Sequence, residues 1–60
     1  MDLRSLTQEQ LKEEMLKIGE KPFRAKQIFD WLHIKQVGSF DEMTNLSKAL
    51  RDKLSQNYSI

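Results

Sequence analysis

A glycine and a proline three residues apart, in Gly19-Glu20-Lys21-Pro22, decide what this chain can fold into. No helix runs unbroken through the pair. Glycine is the favoured left-handed stop after a helix, and proline inside one removes a backbone hydrogen bond. In a first turn proline is tolerated, because its missing N–H has no helical partner there. The apolar residues on both sides recur at helical spacing, and no stretch alternates as a strand does. Leu11, Met15 and Ile18 form one stripe before the break; Ala25, Ile28, Phe29 and Leu32 form a second after it. The break is therefore a tight turn between two amphipathic helices.

The remaining boundaries follow from capping chemistry. Thr7 with Gln10 three residues on predicts a capping box, and Leu6 and Leu11 occupy the positions of a hydrophobic staple. Glu13 and Lys17 are spaced as an i,i+4 ion pair. The second helix opens near Pro22 and ends before Gly38. A short helical turn is expected over residues 41–43, with Ser39 and Glu42 as a second capping box. A last helix is expected over Lys48–Asn57, with Ser47 or its rival Asn45 as N-cap. Leu46, Leu50 and Leu54 face inward, and Phe23, Phe40 and Met43 plug the gaps. The fold class is all-α: a small bundle of three main helices plus a short helical turn. Tyr58-Ser59-Ile60 reads as the start of a further segment, as in a piece of a longer protein.

Several function classes fall away. Sixty residues make one domain, which buries only about 60% of the surface its unfolded chain exposes. With no cysteine and a single histidine the chain has no disulfide, no thiolate metal site and no histidine-based one. Its core is plain hydrophobic packing, with Met15 and Met43 as filler. No apolar run approaches the ~20 residues of a membrane span. Met1-Asp2-Leu3-Arg4 lacks the apolar stretch of a signal peptide, so a cytoplasmic setting is expected. Ten Lys and Arg against nine Asp and Glu leave a net charge of +1, which does not by itself argue for nucleic acid.

Two places carry candidate chemistry. Leu16 to Gly19, Lys21 to Lys26, and then Ala25 and Ile28 follow the helix-hairpin-helix pattern, although Lys21 stands where that pattern has its second glycine. A helix N-terminus behind such a turn binds phosphate through free N–H groups and the helix dipole. Lys21, Arg24 and Lys26 add charge there; the plainer alternative is a structural turn with solvated lysines. Trp31 lies beside Arg24 and Lys35 on the flank of the second stripe. That strip either stacks on an unpaired base or closes the edge of a small core, as a lone tryptophan more often does. His33 lies off the stripe and reads as a surface residue. Lys48, Arg51 and Lys53, with Asp52 between them, read as a solvated face.

Two segments resemble a known family: Gly19-Glu20-Lys21-Pro22-Phe23-Arg24-Ala25-Lys26-Gln27-Ile28-Phe29-Asp30-Trp31-Leu32-His33, and Ser39-Phe40-Asp41-Glu42-Met43-Thr44-Asn45-Leu46-Ser47-Lys48-Ala49-Leu50-Arg51-Asp52-Lys53-Leu54. Together they are similar to the accessory-domain signature of the radical S-adenosylmethionine enzymes that methylate adenine in ribosomal and transfer RNA. The resemblance runs from about Leu6 to Tyr58. It implies a helix-hairpin-helix-like N-terminal accessory domain that helps engage 23S rRNA and tRNA, with Lys21, Arg24, Lys26, Trp31 and Lys35 as the RNA-binding candidates. In that family S-adenosylmethionine and a four-iron four-sulfur cluster sit in a barrel domain that follows this segment, on a Cys-x-x-x-Cys-x-x-Cys loop. One branch methylates C2 of adenine and a related branch C8. This chain has none of those cysteines, so no catalytic residue carries over, and by itself it is expected to bind no cofactor and to have no activity. The expected partners are RNA through the parent enzyme and the downstream barrel, with no membrane and a monomeric isolated chain. Two other readings stay open: a module that docks on its own catalytic domain without touching RNA, and a free-standing DNA-binding hairpin, which the near-neutral charge disfavours.

Overall fold

The computed structural model describes residues 2–60. Three α-helices, α1 (Gln8–Lys17), α2 (Arg24–His33) and α3 (Lys48–Asn57), are joined by two 3₁₀ turns, Leu3–Ser5 ahead of α1 and Phe40–Glu42 between α2 and α3. The domain is all-α, as the periodicity predicts, and the boundaries follow from local hydrogen bonding.

At the start of α1, Gln10 N–H donates to Thr7 Oγ1 at 3.2 Å and Thr7 N–H donates to Gln10 Oε1 at 2.9 Å. The helix stops at Gly19, whose φ of +79° only glycine adopts without strain. Gly19 N–H bonds Leu16 O and Glu20 N–H bonds Met15 O, which satisfies the last carbonyls in a Schellman arrangement. The expected Glu13–Lys17 pair does not form. Lys17 Nζ sits 3.1 Å from Glu14 Oε2 instead. Glu14 is only 9% exposed, and a carboxylate out of water holds a neighbouring ammonium more firmly than an exposed one does.

The second helix begins without a side-chain cap. Arg24 N–H bonds Lys21 O and Ala25 N–H bonds Pro22 O, so the turn closes on its own backbone. Ala25, Ile28 and Leu32 are buried, and Phe29 packs partly against them. The helix ends at His33 with Ile34 as its C-cap, and the chain then turns at Gln36, at a positive φ of 54°, before Gly38 is reached. Phe23, expected in the core, is 55% exposed. It precedes the first helical residue and points away from the Ala25–Ile28–Leu32 stripe.

The second 3₁₀ turn lies one residue earlier than the spacing suggests. Glu42 reaches back, and its Oε2 accepts from Gly38 N–H at 2.9 Å and from Ser39 N–H at 3.0 Å. Ser47 is the N-cap of α3, its Oγ accepting from Leu50 N–H at 3.1 Å. Leu46, Leu50 and Leu54 are buried against Leu11, Met15, Ile28, Phe40 and Met43 in one core cluster.

Two core members carry no periodic signal, Leu3 and Val37. The chain ends bring Leu3 in. Asp2 and Ser59 form a single parallel bridge, and Leu3 N–H donates to Ser59 O at 3.0 Å. Tyr58 closes the same side, its OH donating to Glu14 Oε1 at 2.9 Å. Lys53 Nζ reaches from α3 to Glu20 Oε2 at 2.8 Å, tying the last helix to the α1–α2 turn.

Candidate nucleic-acid interface

The turn between α1 and α2 is a hairpin apex made of residues 19–26. Its backbone is largely spoken for, since the N–H groups of Gly19, Glu20, Arg24 and Ala25 all bond carbonyls within the hairpin. The pull on an anion therefore rests on side chains. Lys21 and Lys26 are exposed. Arg24 is partly buried, with Nη1 donating to Gln27 Oε1 at 2.9 Å and its guanidinium carbon 4.7 Å from the Phe23 ring centroid.

None of these three cations is in an ion pair among the described residues. The four pairs formed are Lys12–Glu9, Lys17–Glu14, Lys48–Asp52 and Lys53–Glu20. The carboxylate nearest in sequence to the apex, Glu20, is thus committed to Lys53. The cations of the last helix behave differently. Lys48 is held by Asp52, Lys53 by Glu20, and Arg51 Nη1 donates to Asp41 O at 3.0 Å. Arg4 and Arg51 bond only backbone carbonyls and Lys35 lies over Trp31, so these too lack a carboxylate among the described residues; the apex is where three such cations fall within six residues.

Trp31 follows Arg24 by seven residues, two helical turns and about 10 Å along the axis on the same side. It packs partly on the core. Its indole Nε1–H donates to Asn45 Oδ1 at 2.6 Å, which ties α2 to the loop before α3. Lys35 Nζ lies 3.9 Å from the ring centroid, a cation–π contact. Trp31 and Lys35 are therefore together, in the row that Arg24 begins; Lys26, two residues after Arg24, lies on the other side of α2. The sequence reading missed Asn45 as the partner of Trp31 and placed Phe23 wrongly. A signal for Phe23 was present: at 100° per residue it falls nearly opposite the apolar stripe of α2.

Other polar groups serve the fold. His33 is exposed beside the Phe29 ring at 4.3 Å. The Lys17 ammonium, then the Tyr58 hydroxyl, hold the Glu14 carboxyl below its ordinary 4.5. Burial, then the bond to Glu14, pushes the Tyr58 phenol up to about 12. An open cleft lined by Phe40, Asp41, Ser55 and Ile60 carries none of the candidate cations. Among the described residues no three His, Cys, Asp or Glu side chains are grouped to hold a metal ion, and no helix is long and apolar enough to cross a membrane.

The comparisons with known proteins agree with this architecture. The sequence matches, over residues 1–60, the model of the family described as "Ribosomal RNA large subunit methyltransferase N-terminal domain". It is 57% identical over 60 residues to a "Probable dual-specificity RNA methyltransferase RlmN" of Lachnoclostridium phytofermentans, covering 100% of this chain and 17% of that protein. A protein of the same description from Bacillus velezensis is 60% identical over 50 residues, covering 83% of this chain and 14% of the relative. In a crystal structure of a radical SAM methyltransferase from Sphaerobacter thermophilus, 18% of the chain superposes on all of this one with a TM-score of 0.94 at 35% identity. The chain thus spans about one sixth of the length of the curated relatives it matches. The chain belongs to the family of ribosomal RNA large subunit methyltransferase N-terminal domains.

Proposed function

We propose that this chain is the RNA-engaging N-terminal domain of a radical S-adenosylmethionine enzyme that methylates adenine in 23S rRNA and tRNA. In this reading Lys21, Arg24 and Lys26 contact phosphates, and the row through Trp31 to Lys35 extends that footprint along α2. The observation that carries it is the hairpin apex. Three cations stand there without a carboxylate partner, while Lys48 and Lys53 on α3 are paired with Asp52 and Glu20. Uncompensated cations on a rigid turn suit a polyanion, and such contacts hold and orient a backbone more than they read its sequence.

The methyl transfer itself belongs to the remainder of the parent protein. A chain without cysteine offers no thiolate for a four-iron four-sulfur cluster, so no step of the chemistry runs through these residues. Its partners in this reading are rRNA and tRNA together with the parent's downstream catalytic domain, and its setting is the cytoplasm.

The test uses the full enzyme. Lys21→Ala/Arg24→Ala/Lys26→Ala is compared with wild type for RNA affinity over a range of salt. The triple variant keeps its cluster content and its melting temperature, binds RNA more weakly, and shows a salt slope shallower by about 0.7–0.9 log units per lost phosphate contact. Unchanged affinity and slope would refute the apex. If Lys35→Ala then lowers both, the α2 flank is the binding face. A second reading takes support from Leu16 and Ile34, which are 61% and 72% exposed: a domain that docks on its own catalytic partner and touches no RNA. It prevails if neither set of variants changes RNA binding.

A further inference from the structure

Phe23 is the one residue at the hairpin apex whose position opposes its chemistry. It is an aromatic side chain 55% exposed, outside the core cluster, in a domain small enough to need every apolar group it has. Lys21, Arg24 and Lys26 surround it in sequence, and the Arg24 guanidinium lies 4.7 Å from its ring centroid. The α2 backbone fixes it there: Phe23 caps the helix in helical conformation, and the Lys21 and Pro22 carbonyls just before it accept from the Arg24 and Ala25 N–H groups just after it. Trp31 is differently placed. Its indole N–H is occupied by Asn45, and Lys35 lies over its ring.

We infer that the face of Phe23 opposite the one the Arg24 guanidinium covers is a stacking platform for an unpaired RNA base. The inference rests on the RNA reading of the apex and adds to it the class of RNA: one that presents a splayed or looped-out base, rather than a continuous duplex. Aromatic rings and arginine planes stack on bases that have left a helix, and every base has a π-face to offer. Lys21 and Lys26 then meet the phosphates on either side of that nucleotide. A duplex keeps its bases stacked on each other and meets only the cations.

The experiment uses the full enzyme and two RNA probes of equal length: a hairpin with 2-aminopurine in its unpaired loop, and a fully paired duplex. Phe23→Leu keeps apolar bulk and removes the ring; Phe23→Trp restores one. The Leu variant is expected to bind the looped RNA about tenfold more weakly, to lose 2-aminopurine quenching, and to bind the duplex as wild type does. Its salt slope on the looped RNA is unchanged, because no phosphate contact is lost. The Trp variant restores affinity and quenching. Equal affinity of wild type and Phe23→Leu for the looped RNA overturns the platform, and so does an equal loss on both probes. A lower melting temperature of the enzyme with unchanged RNA binding overturns it too, and makes Phe23 a contact to the catalytic domain. The triple variant Lys21→Ala/Arg24→Ala/Lys26→Ala separates the two claims. If it weakens binding while Phe23→Leu does not, the phosphate reading stands without the platform; if neither weakens binding, both fall.

Discussion

Replacing Tyr58 by phenylalanine deletes one oxygen and leaves the ring, so it isolates the hydroxyl's contacts with Glu14, the weaker of them to the backbone O at 3.5 Å. That oxygen donates to Glu14 Oε1 at 2.9 Å, and Glu14 is 9% exposed. A hydrogen bond to a charged group contributes about 1.5–3 kcal/mol. At about 0.05–0.15 kcal/mol per residue, sixty residues carry roughly 3–9 kcal/mol in all. Losing this bond therefore removes a large share of the stability, and the melting temperature falls by roughly 6–24 °C at ~4–8 °C per kcal/mol. The pH dependence supplies a second, independent signature. The folded phenol is pushed up to about 12 from 10.0 by burial first and by its bond to Glu14 second. A raised value favours the protonated form in the folded state. Its stabilisation is complete below pH 10 and is lost as pH rises toward 12. Tyr58 is the only tyrosine of the chain, so this loss is absent in Tyr58→Phe. Thermal melts by circular dichroism should show the gap between wild type and variant widest near neutral pH, narrowing steadily above pH 10. Equal melting temperatures at neutral pH would refute the bond's contribution, and a gap constant up to pH 12 would refute its linkage to the phenol.

Two further substitutions test the core and the hairpin. Leu50→Ala empties a site that is 1% exposed and should cost about 2–5 kcal/mol; urea denaturation showing less than half of that would mean the site collapses around the loss. Gly19→Ala adds a methyl group that meets nothing within 4 Å, so any cost is backbone strain at φ +79°. It should destabilise by about 1–2 kcal/mol, measured by the same denaturation, and a neutral result would show that the hairpin relaxes out of the left-handed conformation.

Local rules made most of the helices legible in the sequence. Thr7 with Gln10 and Ser47 ahead of Leu50 cap as their chemistry dictates, because a cap needs only residues within one turn of itself. Gly19 stops α1 for the same reason. What failed depends on residues distant in sequence. Leu3 is buried because Ser59 draws it in, fifty-six positions away, and no periodicity reports such a pairing. Lys17 turns to Glu14 instead of Glu13 because Tyr58 buries Glu14, and nothing within α1 encodes that. The turn after α2 places Gln36 at a positive φ, although a glycine stands two residues on.

The candidate site divides along the same line. Which residue types stand at the apex was readable, since charge and turn chemistry are local. Which of the chain's ten Lys and Arg remain unpaired was not, because pairing is settled by tertiary contacts. Lys53 illustrates this: its bond to Glu20 crosses thirty-three positions and engages the carboxylate that stands within the hairpin itself. Three cations against one carboxylate already make the apex positive, and Lys53 on α3 adds to this by offsetting Glu20. A half-buried pair of this kind, with Glu20 22% exposed, still sits near enough to solvent to contribute only about 0–1 kcal/mol, so its larger effect is on the field felt at Lys21, Arg24 and Lys26. The packing that holds the last helix against the first turn thereby also sets the charge that the turn presents.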